Sequence, residues 1–471
     1  MSHHHHSRRN FLSQLGLGCA SVGATSLLSG ITNLGLINAA AAANRSVYAP
    51  STTGYKAIVC LMLSGGNDSY NMLVPRGQDE YQEYATVRTN LALAQSELRP
   101  INPINNIGKT LGLHPNLEKI QGLFENEKAA FIANVGALVQ PTTTTQFNQG
   151  FGLPEGLFSH SDQRQHWQTA LPQNLSNIGW GGRLAEILHS NNTNQNISMN
   201  ISLNGVNTWQ RGNVIREFAI SPTSLGVTIT GSQNNNFYNV LKRQTLDSLL
   251  EASYQNIFET AYGESVVGNK DNAFEFAAAI EQGTPITTEF GTDDLSTRLE
   301  AIAKVIAARG PLGMTNQTFF VQHGSYDNHA NILTEHGDLM SELDGAIDSF
   351  YRALEELGLE NDVVIFTASD FARKLISNGD GSDHAWGGHA LVIGGDIQGK
   401  RIYGEYPDLY KDGPLDIGSG RILPTTSCDE LFAELALWMG ASTAVLPDIL
   451  PNLENFWTID PNSRPLGILP A

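Results

Sequence analysis

Short, unbroken apolar runs that stop abruptly in acids and imidazoles constrain this chain more than any other feature. Thr318-Phe319-Phe320-Val321-Gln322 leads straight into His323-Gly324-Ser325-Tyr326-Asp327-Asn328-His329. Val363-Val364-Ile365-Phe366-Thr367 ends in Ala368-Ser369-Asp370-Phe371-Ala372-Arg373. A polar loop then carries Asp383-His384 and His389 to a third run, Ala390-Leu391-Val392-Ile393. Runs this short with no polar alternation are strands buried on both faces, as in a sheet covered by helices on each side. In such open α/β sheets, the loops at the strand ends build the site.

An earlier stretch has the same form. Tyr55-Lys56-Ala57-Ile58-Val59-Cys60-Leu61-Met62-Leu63 is apolar and ends in Ser64-Gly65-Gly66-Asn67-Asp68-Ser69. The glycines allow a tight turn that places Asp68 at the sheet edge. An Asx turn serving only the local backbone is the competing reading. Between Thr318 and Thr367 lies a helical stripe, Leu339, Leu343, Ile347, Phe350 and Leu354, closed by Gly358 in the C-cap manner. Strand, helix and strand in that order predict a parallel crossover.

The remaining segments are coarser. A helix is predicted near Leu117–Phe124 and a strand over Ala129–Val135. Ser159-His160-Ser161-Asp162-Gln163-Arg164-Gln165-His166-Trp167 reads as an exposed helix start whose imidazoles could also reach a substrate. From about 190 the chain turns rich in Asn, with β-type residues such as Val227-Thr228-Ile229-Thr230 interleaved. We read an insertion over about 190–290, whose loops and short strands cover one face. Helices are predicted from Val240 to about Ala279, from Leu295 to Ala308, and over Asp429–Gly440.

The 471 residues allow one large α/β domain or two ordinary ones. With 47 acidic against 28 basic residues, the formal charge of −19 repels phosphate backbones and argues against a nucleic-acid partner. Residues 1–43 read as a targeting segment, with Ser7-Arg8-Arg9-Asn10-Phe11-Leu12, a mildly apolar stretch, and small residues Ala39–Ala43 suited to cleavage. That predicts twin-arginine export to the periplasm or beyond, with the working domain over 44–471. The histidines His3–His6 alone would read as a tag. No other stretch approaches the ~18 apolar residues that span a membrane. Cys60 and Cys428 follow the targeting segment; a disulfide and two buried thiols are both open, and no Cys-x-x-Cys occurs.

Carboxylates and imidazoles on several strand ends can converge although distant in sequence. Asp68, Asp327, His329, Asp370, His384 and His389 are accordingly candidate ligands for a divalent ion. Asp with His suits zinc, manganese or magnesium better than thiolate-seeking metals, and calcium also takes carboxylates.

Gly65-Gly66-Asn67-Asp68, Leu113-His114-Pro115, Ser159-His160, Gly324 to His329, Ser369 to Arg373 and Ser382-Asp383-His384 resemble the bacterial export family called domain of unknown function 1501. The resemblance spans nearly all of 44–471. It implies a three-layer α/β/α sandwich, alkaline-phosphatase-like and akin to sulfatases, with a metal site at the carboxyl edge of the sheet. On the residues that match, Asp68 resembles a first-strand ligand, and Asp327 and His384 resemble ligands of one metal position, with His329 added. Asp370 matches the acid of a Ser-Asp-His pattern, but Phe371 stands where a histidine is common, which puts a two-metal site in question. The segment from His114 to Thr142 resembles the stretch before the nucleophile, making Thr142, or Thr143, the candidate; Arg373 would bind an oxyanion. No Cys-x-Pro-x-Arg occurs, against a formylglycine sulfatase. The expectation is a metal-dependent hydrolase of a small-molecule or glycan ester of phosphate or sulfate. A non-catalytic secreted binding protein on the same fold is the alternative.

Overall fold

β1 (Lys56–Leu63) is the centre of the fold because all but its first residue is buried. The computed structural model describes residues 54–225, 235–250 and 257–470. The targeting segment over 1–43 and the run Val227–Thr230 lie outside the described residues.

β1 pairs in parallel with β8 (Asn316–His323) on one side and β9 (Val363–Ser369) on the other. In chain order the other strands are β2 (Leu73–Pro75), β3 (Arg99–Ile101), β4 (Leu111–Leu113), β5 (Ala129–Gly136), β6 (Asn200–Ser202) and β7 (Phe218–Ala219). After β9 come β10 (Arg373–Ser377), β11 (Ser382–His384), β12 (Gly388–Gly394), β13 (Ile402–Tyr403) and β14 (Thr426–Ser427). The main sheet has the order β13-β5-β12-β9-β1-β8-β6-β7, with β14 also on β5. β12 alone runs against the rest, antiparallel to both β9 and β5. The insertion's short strands, expected to cover one face of the domain, instead lengthen the sheet, since β6 pairs with β8 and β7 with β6.

Alternate residues of each strand face opposite layers. Val59, Leu61 and Leu63 point into a core shared with Ile120 and Phe124 of the helix Glu118–Glu125, and with the helices Asp294–Ala307 and Ile332–Leu357. The predicted stripe of Leu339, Leu343, Ile347, Phe350 and Leu354 is buried there, and Gly358 caps the helix at φ +66. On the other face, Phe320 and Phe366 meet Trp209, Trp180 and Phe432. Trp180 of the helix Trp180–Leu188 stacks on Phe432 of the helix Cys428–Trp438 at 4.5 Å between ring centroids. Each such aromatic side chain, once fully buried, contributes about 1.5–3 kcal/mol. The result is helix, sheet and helix in three layers, the α/β class expected.

Cys60 and Cys428 are both buried and free. Among the described residues, no helix is long and apolar enough to cross a membrane. The loops after β1, β5, β8 and β9 all emerge at the carboxyl edge of the sheet. β12 enters at that same edge because it runs the other way, so His384 and its hairpin arrive there too.

Candidate metal centre

Four atoms meet at this edge. Asp327 Oδ1 lies 3.0 Å from His329 Nε2, 3.3 Å from His160 Nε2 and 3.5 Å from His384 Nε2. His160, Asp327 and His384 each offer an atom within 4.8 Å of the others. The sequence offered Asp327, His329 and His384 as ligands, and His160 only as an imidazole that could reach a substrate.

Each imidazole is held from behind. His384 Nδ1 donates to the Phe158 carbonyl at 2.7 Å. His160 Nδ1 donates to Asp370 Oδ2 at 2.8 Å. A carbonyl and a carboxylate can only accept, so both Nδ1 atoms carry the proton and both Nε2 atoms present lone pairs. His329 Nδ1 faces Asp383 Oδ1 at 3.4 Å. Metal-bound histidines are oriented in this way, with the far nitrogen fixed by an acceptor.

Local backbone and charge support the arrangement. Phe158 has φ +71, a costly conformation for a bulky residue, and it is this turn that aims its carbonyl at His384. Ser325, ahead of Asp327, also has φ +71. Burial works against ionisation of Asp327, but the hydrogen bond and charge of Arg373, with the nearby imidazoles, outweigh it and lower the pKa. Burial lowers the pKa of His384, partly opposed by the Phe158 carbonyl, and so keeps its ring neutral. Hydrogen bonds from Asn378 and then Lys374 hold Asp383 down at about 2. Phe371 covers the inner side, packed at 4.8 Å on His160 and 4.6 Å on His384.

The donor set fits a divalent cation. His329 and His384 Nε2 are 3.0 Å apart and could share one proton, but His160 Nε2 is buried without a hydrogen-bond partner. Three imidazole nitrogens and one carboxylate oxygen suit zinc, or a related borderline ion, better than calcium.

Other nominated residues stand elsewhere. Asp68 is buried in an ion pair with Arg88, both side chains fully enclosed, and burial pushes its pKa up against the pull of Arg88. Asp370 orients rather than meets the cluster, since its oxygens are taken by Gly65 N, His160 and Arg164. His389 is enclosed within β12, where its Nδ1 accepts from Asn134 N at 3.2 Å, its ring stacks on Tyr406, and burial drives its pKa to about 3. Thr142 donates to the Gln140 carbonyl at 2.9 Å, and Thr143 caps the helix Thr144–Asn148. Arg373, read as an oxyanion binder, is buried. Nε and Nη1 donate to Gly66 O and Ser382 O, while Nη2 reaches Gly65 O, Tyr326 O and Asp327. Its donors staple these loops together, and its side chain is wholly buried. His160 was expected at most to reach a substrate and not to be a ligand, and Arg164 and Phe158 had no expected role. The Ser159-His160 pair was their one signal.

The solved structures similar to this chain are remote. Ps i-CgsB shares 11% identity, covering 85% of this chain and 77% of its own, at a TM-score of 0.33. The C-terminal periplasmic domain of EcEptC from Escherichia coli, in complex with Zn, shares 9% over 74% and 75% of the two chains, at 0.30. BT1596, a 2-O GAG sulfatase, shares 10% over 87% and 76%, at 0.31. Among curated proteins no sequence matches. Residues 55–414 match the model of a family described as protein of unknown function, DUF1501, and this chain belongs to that family.

Proposed function

We propose that this protein is an exported, metal-dependent hydrolase of phosphate or sulfate esters, with His160, Asp327, His329 and His384 holding the ion. One observation carries the reading: three Nε2 atoms converge on one carboxylate oxygen while each Nδ1 faces an acceptor. A divalent ion supplies Lewis acidity, polarising an ester oxygen and lowering the pKa of a hydroxyl or water. The chain's part is to fix the imidazoles through Asp370, Phe158 and Asp383, and to hold Asp327 ionised through Arg373. Phe371 closes the inner wall and keeps water from the back of two of the rings. Export is supported by Arg8-Arg9 and the apolar stretch that follows.

A second reading, a secreted binding protein on the same fold, draws on a different observation. Among the described residues, no serine or threonine hydroxyl is bonded to the cluster, and the hydroxyl of Thr142 is engaged with Gln140. The two readings separate in one experiment. The purified protein is assayed for bound metal and then against phosphate and sulfate monoesters and diesters, beside Thr142→Ala and His384→Ala. The hydrolase reading expects a bound divalent ion and turnover that Thr142→Ala leaves unchanged and His384→Ala removes. A bound ion with no turnover on the panel favours the binding reading. No bound ion sinks both the metal centre and the hydrolase.

A further inference from the structure

The carboxylates that strand ends bring to this edge do not share one fate. Asp327 faces three imidazoles besides Arg373, whereas Asp68 ends on Arg88, and Asp370 on Arg164 and the far nitrogen of His160. Asp370 is fully buried and takes four donors: Gly65 N at 3.1 Å, His160 Nδ1 at 2.8 Å, Arg164 Nε at 3.1 Å and Arg164 Nη2 at 3.2 Å. Three of these meet Oδ2 and one meets Oδ1, and the Arg164 guanidinium that spans both oxygens already balances the buried carboxylate's charge. Asp68 is closed differently. One oxygen is paired with the fully enclosed guanidinium of Arg88, which already balances its charge; the other is buried without a hydrogen-bond partner.

Arg164 has a further property. It stands four residues after His160 on the helix His160–Thr169, so the two side chains share one face, a turn apart. Its side chain is 35% exposed, while that of Arg373 is wholly buried. Its two bonds to Asp370 use Nε and Nη2, which leaves Nη1. The bidentate bond also fixes the guanidinium in advance, so little side-chain freedom is lost when an anion arrives.

We infer that the centre holds a single ion and that Arg164 supplies the second positive charge met by a phosphate- or sulfate-type oxyanion. This rests on the metal centre proposed above. The test measures metal per chain and titrates inorganic phosphate and sulfate into wild type, Arg164→Gln and Arg164→Lys. One ion per chain is expected in all three. Anion affinity should fall about tenfold or more in Arg164→Gln and recover in part in Arg164→Lys, which keeps the charge but not the fork. Two ions per chain in wild type overturn the inference and leave the metal reading standing. Unchanged anion affinity in a folded Arg164→Gln that keeps its ion overturns it, as does wild type that takes up neither anion. Loss of the ion from both Arg164 variants reduces Arg164 to a support for Asp370 and overturns it too. Wild type with no ion removes the metal reading itself.

Discussion

Asp370 shows how a residue can be legible in type and not in role. As an acid directly after a strand it reads as a ligand, and only the structure shows that it serves His160 from behind. Replacing it with Asn keeps the shape but puts a donor where four donors already converge. Asp370→Asn should therefore weaken metal binding about 10–100-fold without abolishing it, as loss of an outer partner does. Competition with a chelator measures this, and an affinity equal to wild type would show that His160 needs no orienting acid. Asp327, His329 and His384, which the structure brings together, could be singled out because they lie near the ends of apolar runs. His160 could not, because Ser159-His160 looks like any exposed helix start. Arg164 was hidden for the same reason: its value lies in a carboxylate more than two hundred positions away.

At the level of elements, the site depends on two loops touching backbone to backbone. β1 and β8 pair in register, with Leu63 opposite His323, so the loops that follow them leave side by side. Gly65 makes that approach possible. Its φ is +117, and a Cβ there would lie 2.5 Å from the backbone nitrogen of Asp327. Gly65→Ala would strain the turn and push away the loop that carries Asp327 and His329. A loss of about 1–3 kcal/mol in stability is expected from the backbone conformation alone. Metal content should fall with it. Chemical denaturation and metal analysis of the same sample check both, and full metal content in a stable variant would show that the loops are not coupled. The glycines were readable as a tight turn, but their partner loop was not. The direction of β12 was equally hidden, since an apolar run reads the same whichever way it points. Its reversal is what brings His384 to the site's edge.

For the molecule as a whole, stability should depend on pH through buried groups that are not themselves candidate ligands of the ion, His389 aside, which the sequence nominated and the structure encloses in β12. His114, His336 and His389 are enclosed, and burial lowers each from 6.5 to about 3. Their contribution is present above the ordinary histidine pKa and is lost as pH falls toward 3. On the helix Cys428–Trp438, burial raises Asp429 to about 8, against the pull of Arg183, and Glu430 to about 7. A carboxyl whose folded pKa is raised gives the opposite sign: its stability is fully present below the ordinary value and lost as pH rises through the folded one. Below about 6.5 the two sets work against each other. Above it the histidines are neutral in both folded and unfolded chains, so the buried acids alone set the slope. Stability should then fall between about pH 6.5 and 8, at up to about 1.4 kcal/mol per pH unit for each such group. Asp429 is the cleaner probe, since it is almost wholly buried and its Oδ2 has no hydrogen-bond partner, whereas Glu430 also caps its own helix. Asp429→Asn cannot ionise, so it should remove one group's share of the slope while Glu430 keeps its own. Urea unfolding at several pH values across that window measures the difference. Parallel slopes for variant and wild type would mean that Asp429 is already charged in the folded protein near neutrality, and that Arg183 is close enough in charge to hold it so despite burial.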